Sequence, residues 1–213
     1  MLELLASDPA SLSSVRDPEE AWRVHVRDSL TGLDLVGTPR RLADVGAGAG
    51  FPGLALAAAL PETRVDLIES VGRKAAFIER AIEAAALANA RAVGVRAEEW
   101  ARVPPPAGGR GAYDVVTARA VGRLATLAEL ASPLLRDGGW LVAWKGRRDP
   151  GEEAELERTA GRVAIEPDSI VAVGADAGFE HRHLHRLRKA GATPAGLPRR
   201  PGMAKKRPLG AGS

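Results

Sequence analysis

The sequence predicts an α/β domain, a doubly wound and mostly parallel sheet that closes in a terminal antiparallel hairpin. Three observations carry this. Apolar strand-like runs alternate with helical segments from Arg40 to Gly146, the pattern of βαβ units covered on both faces. A glycine turn, "DVGAGAGFPG" at 44–53, joins the first strand of that alternation to its first helix. Two closing strand-like runs, "VAIEPDSIVAV" and "HRHLHRLRK", have no clear helix between them.

Each element has a local reason. "DPEEAWRVHVRDSLTGL" at 17–33 reads as a helix capped by Asp17, with Pro18 at the first helical position and acids in the first turn. "RRLADV" is a strand into the glycine turn, and "GLALAAAL" begins a helix. "RVDLIES" is the second strand. In "GRKAAFIERAIEAAALA", Phe77, Ile78, Ala81 and Ile82 recur at helical spacing. "ARAVGVRAEEW" holds a third strand, "YDVVTAR" a fourth, and "GGWLVAWKG" a fifth after a Gly-Gly turn. "RLATLAELASPLL" is a helix broken late by Pro133, and Asp149 with Pro150 opens the acidic helix "GEEAELERTAG". From Gly191 onward, Pro and Gly are too frequent for regular structure. The expected organisation is an N-terminal helical segment over 1–36 packed on the domain, the domain itself over 37–190, and a basic tail over 191–213. Parallel strands first and an antiparallel edge last is the class I methyltransferase variant of the doubly wound sheet.

Composition narrows the function classes. With 45% hydrophobic and 27% charged residues, the chain lies in the globular range and not the disordered one. Without cysteine there is no disulfide, thiolate metal site or thiol nucleophile. No apolar run approaches the roughly 20 residues of a membrane span, and the acidic start "MLELLASDP" is unlike a signal peptide. A cytoplasmic monomer is expected. The net charge of +3 is uneven: 181–213 contains no Asp or Glu but nine Arg and Lys, so the rest of the chain is net acidic. A basic end on an acidic body reads as a local anion-binding surface.

The glycine turn carries the chemistry. From Asp44 it spells D-x-G-x-G-x-G, the adenosylmethionine pattern; from Gly48 it spells G-x-G-x-x-G, the dinucleotide pattern. Gly46, Gly48 and Gly50 let the backbone bend and let a ligand lie on the main chain. Glu69, ending the second strand, is placed to accept hydrogen bonds from ribose hydroxyls, which serves either ligand. Asp44 ahead of the turn can meet the donor's ammonium group, directly or through water. Glu98, after the third strand, can approach an adenine amino group. These two carboxylates favour S-adenosyl-L-methionine over NAD. Arg119, ending the fourth strand, can bind the donor carboxylate, contact a guanine, or serve as a structural ion-pair partner. His181, His183 and His185 alternate on one strand face, but the strand reading and the flanking arginines speak against a ligand set, and no metal is expected.

Taken in order, "RDPEEAWRVHVRDSL", "DVGAGAGFPG", "LIES", "RAEEW", "TARAVG", "WKG", "HRHL" and "TPAGLPRRPGMAKKRPL" resemble the bacterial ribosomal RNA small subunit methyltransferase G family, also called glucose-inhibited division protein B. The resemblance implies methyl transfer from S-adenosyl-L-methionine to guanine N7 in small-subunit (16S) ribosomal RNA, with the rRNA or the small subunit as partner. It puts donor contacts at Gly46, Phe51, Ala97, Glu98 and Arg119. The chain departs from the family's pattern at Leu197, where an aromatic residue is common. Candidate RNA contacts are Arg123, Lys145, Arg199, Arg200, Lys205, Lys206 and Arg207. The rival readings are a non-catalytic RNA-binding or ribosome-assembly protein with the same fold and, further off, an NAD-dependent oxidoreductase.

Overall fold

The computed structural model describes residues 2–7, 15, 17–173, 179 and 181–210. Its strands are β1 (Arg41–Val45), β2 (Arg64–Ile68), β3 (Ala90–Val93), β4 (Tyr113–Arg119), β5 (Leu135–Lys145), β6 (Ile165–Ala172) and β7 (His183–Lys189). They form one seven-stranded sheet in the order β3-β2-β1-β4-β5-β7-β6. The first five pair in parallel, while β7 runs antiparallel to both β5 and β6. This is the class I methyltransferase arrangement. Strand order reverses between β1 and β4, so the carboxyl ends of these two strands flank a natural crevice.

Alternation along the strands feeds two apolar layers. Leu42, Val115, Val142 and Trp144 pack on one face with Leu54, Phe77 and Ile78 of helices α5 (Gly53–Ala59) and α6 (Gly72–Ala84). Ala43, Val116, Leu141 and Ala143 pack on the other with Leu124, Leu127 and Leu156 of α8 (Leu124–Ala131) and α9 (Pro150–Val163). Between them in sequence lies the short α7 (Ala97–Trp100). The expected caps form: the Asp17 carboxylate accepts from Glu20 N at 2.7 Å, and Asp149 accepts from Gly151 N at 2.9 Å.

Three regions differ from the sequence expectation. The helix expected to run through Leu135 ends at Ala131, and β5 begins at Leu135 with the Gly-Gly pair inside it rather than in a turn ahead of it. The N-terminal segment contains α1 (Leu2–Ser7) and α4 (Leu33–Val36), and the helix expected from Asp17 is not uniform. It runs as α2 (Pro18–Ala21), a π-helical stretch Trp22–Arg27 and α3 (Asp28–Leu30). The tail, expected to be irregular, docks on the domain through buried Leu197 and Ala204 and includes a short helix, α10 (Met203–Lys206).

One buried carboxylate joins the N-terminal segment to the sheet. Asp28, 0% exposed, accepts from Arg119 at 2.8 Å and from two guanidinium nitrogens of Arg182 at 2.6 and 3.0 Å. Its backbone carbonyl also accepts from the Trp144 indole N–H at 2.9 Å. Truncation would leave two partly buried guanidinium groups without their shared anion, a loss of about 3–5 kcal/mol. Asp28→Ala is therefore expected to lower the urea unfolding midpoint by that stability; a midpoint within error of the parent would show that the contact contributes nothing.

Candidate functional site

At the switch point, the chain leaves β1 into a turn with almost no side chains. Gly46 sits at φ +66°, where a side chain would be strained, and a Cβ there would lie 2.7 Å from Val121 Cγ2. Gly53 begins α5 so close to the sheet that a Cβ would lie 2.8 Å from Leu67 and 2.9 Å from the Asp44 carboxylate. Glycines thus let Val121 cover the turn and let α5 pack directly against β1 and β2.

Two carboxylates hold this backbone in shape. Asp44 is 0% exposed; one oxygen accepts from Gly53 N and the other from the Thr117 hydroxyl, each at 2.9 Å. Burial raises its pKa to about 6, while the two hydrogen bonds and the Arg119 cation pull the other way. Glu69 accepts from Gly48 N at 3.0 Å with one oxygen and from Val71 N at 2.8 Å with the other. Each Glu69 oxygen retains a lone pair for a further donor.

A pocket of about 390 Å³ opens beside the turn, within the size range of small-molecule sites. Val45 and Gly46 form one side, Ile68 and Ser70 a second, and Val95, Arg96, Ala97 and Glu98 a third. Val121, Thr126 and Leu130 line it from beyond β4, and Gly202, Ala204, Lys205 and Lys206 line it from the tail. Glu98 is mostly buried and accepts from Gly202 N at 2.6 Å with one oxygen. A larger hollow near Leu2, Trp22 and Ala55 is lined almost wholly by apolar residues and lies away from the switch point.

The donor-site candidates separate into two groups. Gly46, Ala97 and Glu98 line the pocket; Glu69 does not line it but sits between Ile68 and Ser70, which do, and accepts from Gly48 N. The others do not line it either. Asp44 was expected to meet the ammonium group, but both its oxygens are engaged inside the fold, because its side chain points with Leu42 and Thr117 toward α5. Gly50 packs under Leu54. Phe51 is buried and stacks on His25, with ring centroids 5.2 Å apart, on the N-terminal side of the turn. Burial, then the neighbouring Arg119 cation, push the His25 imidazole below its ordinary pKa. Arg119 lies over Phe51 at 5.8 Å and pairs with Asp28, so its charge is matched within the fold. Of the three roles expected of it, the ion pair is formed in the structure.

Several RNA candidates are likewise matched. Arg123 pairs with Glu155 at 2.5 Å, Lys145 with Glu152 at 2.7 Å, and Arg199 with Glu129 through two bonds of 2.6 Å. Arg200, Lys205, Lys206 and Arg207 are exposed. His183 Nδ1 lies 3.0 Å from the Gly146 carbonyl oxygen and His185 is buried; among the described residues no cluster is suited to a metal. Sequence reasoning missed Ser70 and Val121, which lie within the stretches "LIES" and "TARAVG" but were given no role, as well as Thr126, Leu130 and Asp28.

Asp44 yields a pH test. Its folded pKa is raised, so its favourable contribution to stability is present below its unfolded value near 4 and is lost as pH rises through about 6. Carbon-detected titration of the Asp44 carboxyl is expected to give a midpoint near 6; a midpoint near 4 would show that burial does not penalise the charged form.

Known proteins can be set against this geometry. A family model described as rRNA small subunit methyltransferase G (GidB) matches residues 4–184. A "Ribosomal RNA small subunit methyltransferase G" of Desulfitobacterium hafniense (strain Y51) is 38% identical over 203 residues, covering 95% of this chain and 83% of that protein. One from Roseiflexus castenholzii is 42% identical over 205 residues, covering 93% and 84%. Among solved structures, the geranyl diphosphate C-methyltransferase of Streptomyces coelicolor A3(2), in complex with S-adenosyl-L-homocysteine, aligns with TM-score 0.62 at 16% identity over 87% of this chain and 88% of that one. A SAM-dependent methyltransferase from Aquifex aeolicus aligns with TM-score 0.60 at 18% identity over 85% and 98%. At these identities the structural likeness speaks for the fold alone, whereas the sequence matches span nearly the whole chain. The chain belongs to the rRNA small subunit methyltransferase G family.

Proposed function

We propose that this protein transfers a methyl group from S-adenosyl-L-methionine to N7 of a guanine in small-subunit (16S) ribosomal RNA. One observation carries the reading. In a chain of this family, the side-chain-poor turn at the switch point and the nearly buried Glu98 line one pocket, and Glu69, flanked by the lining residues Ile68 and Ser70, holds that turn at Gly48.

The residues present fit an adenosyl donor. Glu69 can accept from ribose hydroxyls while still holding Gly48 and Val71, and the second oxygen of Glu98 can accept from an adenine amino group. Gly46 lines the pocket with backbone alone, the space a side chain would take being filled by Val121. When bound, S-adenosyl-L-methionine supplies an activated methyl group on a sulfonium centre. Guanine N7 is an in-plane lone pair that carries no proton at neutral pH, so direct in-line displacement needs no general base. The chain's contribution is therefore positional, and orientation of this kind can be worth roughly 7–11 kcal/mol. Arg119 does not take part in proton transfer; it holds the β4 end against the N-terminal segment.

The exposed cations Arg200, Lys205, Lys206 and Arg207 are the phosphate contacts in this reading, and they sit at and beside the pocket mouth. A ribosomal substrate supports a cytoplasmic location. Among the described residues, no helix is long and apolar enough to cross a membrane.

Incubation with labelled methyl donor and unmethylated small subunits is expected to put label into 7-methylguanosine. RNA binding without that product would favour a non-catalytic assembly protein. Glu69→Ala is expected to raise the dissociation constant for S-adenosyl-L-homocysteine roughly 10- to 100-fold, the loss of a charged hydrogen bond; an unchanged constant would remove Glu69 from the site. Replacing Lys205, Lys206 and Arg207 by Gln is expected to flatten the slope of log RNA affinity against log salt by about 2. An unchanged slope would place the phosphate contacts elsewhere.

A further inference from the structure

The tail does more than carry charge to solvent. Gly202, Ala204, Lys205 and Lys206 complete the pocket opposite Gly46. Gly202 occupies φ +81°, and from there its N–H donates to Glu98 Oε1 at 2.6 Å. That bond leaves Glu98 one oxygen for a ligand and fixes the direction in which it faces.

A single guanidinium holds this piece of chain in place. Arg199 forks onto Glu129 of α8, which is 3% exposed, with two bonds of 2.6 Å. The same side chain donates to the Arg207 carbonyl at 2.8 Å and to the Met203 carbonyl at 3.4 Å, so it spans α10 from end to end. The Thr126 hydroxyl of α8 donates to the Ala204 carbonyl at 3.3 Å. On either side, Arg110 donates to the Leu197 carbonyl at 3.3 Å and Arg162 donates to that of Leu209 at 2.5 Å. An arm waiting for RNA would have no need of so many bonds to the domain.

We propose that the segment Arg199–Arg207 is a structural wall of the donor pocket and that Arg199 is its positioning residue. The Arg199–Glu129 pair sets Gly202, and Gly202 sets Glu98. This rests on reading the pocket as the site of the adenosyl donor. It separates two functions within one basic stretch: the charge of Arg199 is spent inside the fold on shaping the pocket, while Arg200, Lys205, Lys206 and Arg207 remain exposed, Lys205 and Lys206 at the pocket itself. It also reverses the simpler expectation that disturbing the tail harms RNA binding and spares the donor.

The test titrates S-adenosyl-L-homocysteine into the full chain by calorimetry without RNA, and measures thermal unfolding in parallel. Arg199→Met is expected to unfold cooperatively and bind about tenfold more weakly, the scale of one lost charged contact. Arg199→Lys, which retains the charge but not the fork, is expected to fall between it and the parent. In methyl transfer, Arg199→Met should raise the donor KM and leave kcat at saturating donor within about twofold. A folded Arg199→Met protein binding within twofold of the parent overturns the proposal. If Arg199→Met shows no cooperative transition, Glu129→Gln decides, because it loosens the fork without entering the pocket: weaker donor binding supports the wall, and unchanged binding overturns it. Failure of the unaltered chain to bind S-adenosyl-L-homocysteine would instead overturn the reading of the pocket, and the wall with it.

Discussion

The Asp44 carboxylate accepts from the Gly53 amide on one oxygen and the Thr117 hydroxyl on the other, and it is closed off from solvent. Those two bonds tie the end of β1 to β4 on one side and to the start of α5 on the other. A charged group buried this deeply is tolerated because both oxygens are satisfied, and its elevated pKa records the residual strain of keeping it ionised. The shape of the glycine turn follows from it. With both ends of the turn held, the backbone between them presents Gly48 N to Glu69, and β2 joins the same network.

The turn then has two different neighbours. Toward the N-terminal segment it presents Phe51, which stacks on His25 beneath Arg119, with Asp28 gathering Arg119 and Arg182. Toward the other side it faces the pocket, Glu98 and the tail. The ends of the chain thus close on the switch point from opposite directions. Neither end is an ornament on a finished domain: the first is bonded to the end of β4, and the second to α7 and α8.

Arginine is used in this protein chiefly as a fastener. Buried carboxylates at Asp28, Glu129 and Glu155 each take a guanidinium from a distant part of the chain. A planar fork matched to a carboxylate fixes direction as well as distance, which a solvated lysine does not. The basic excess at the C-terminus therefore overstates the charge on offer to a polyanion. What faces outward is a smaller group: Arg188 on β7, and Arg200, Lys205, Lys206 and Arg207 on one short stretch, two of them lining the pocket.

Local pattern alone determined the parallel alternation, the closing hairpin, the caps at Asp17 and Asp149, the glycine turn, and the carboxylates after β2 and β3. Each of these depends on hydrophobic period, turn chemistry or position within a βα unit, and all of that information lies within a few residues. Tertiary structure alone decided that Asp44 turns inward, that Arg119 is matched by a residue 91 positions away, and that the tail walls the pocket. It also placed a π-helical stretch inside a helix that reads as regular. A side chain's partner is chosen by which layers pack against it, and spacing along the chain carries no record of that choice.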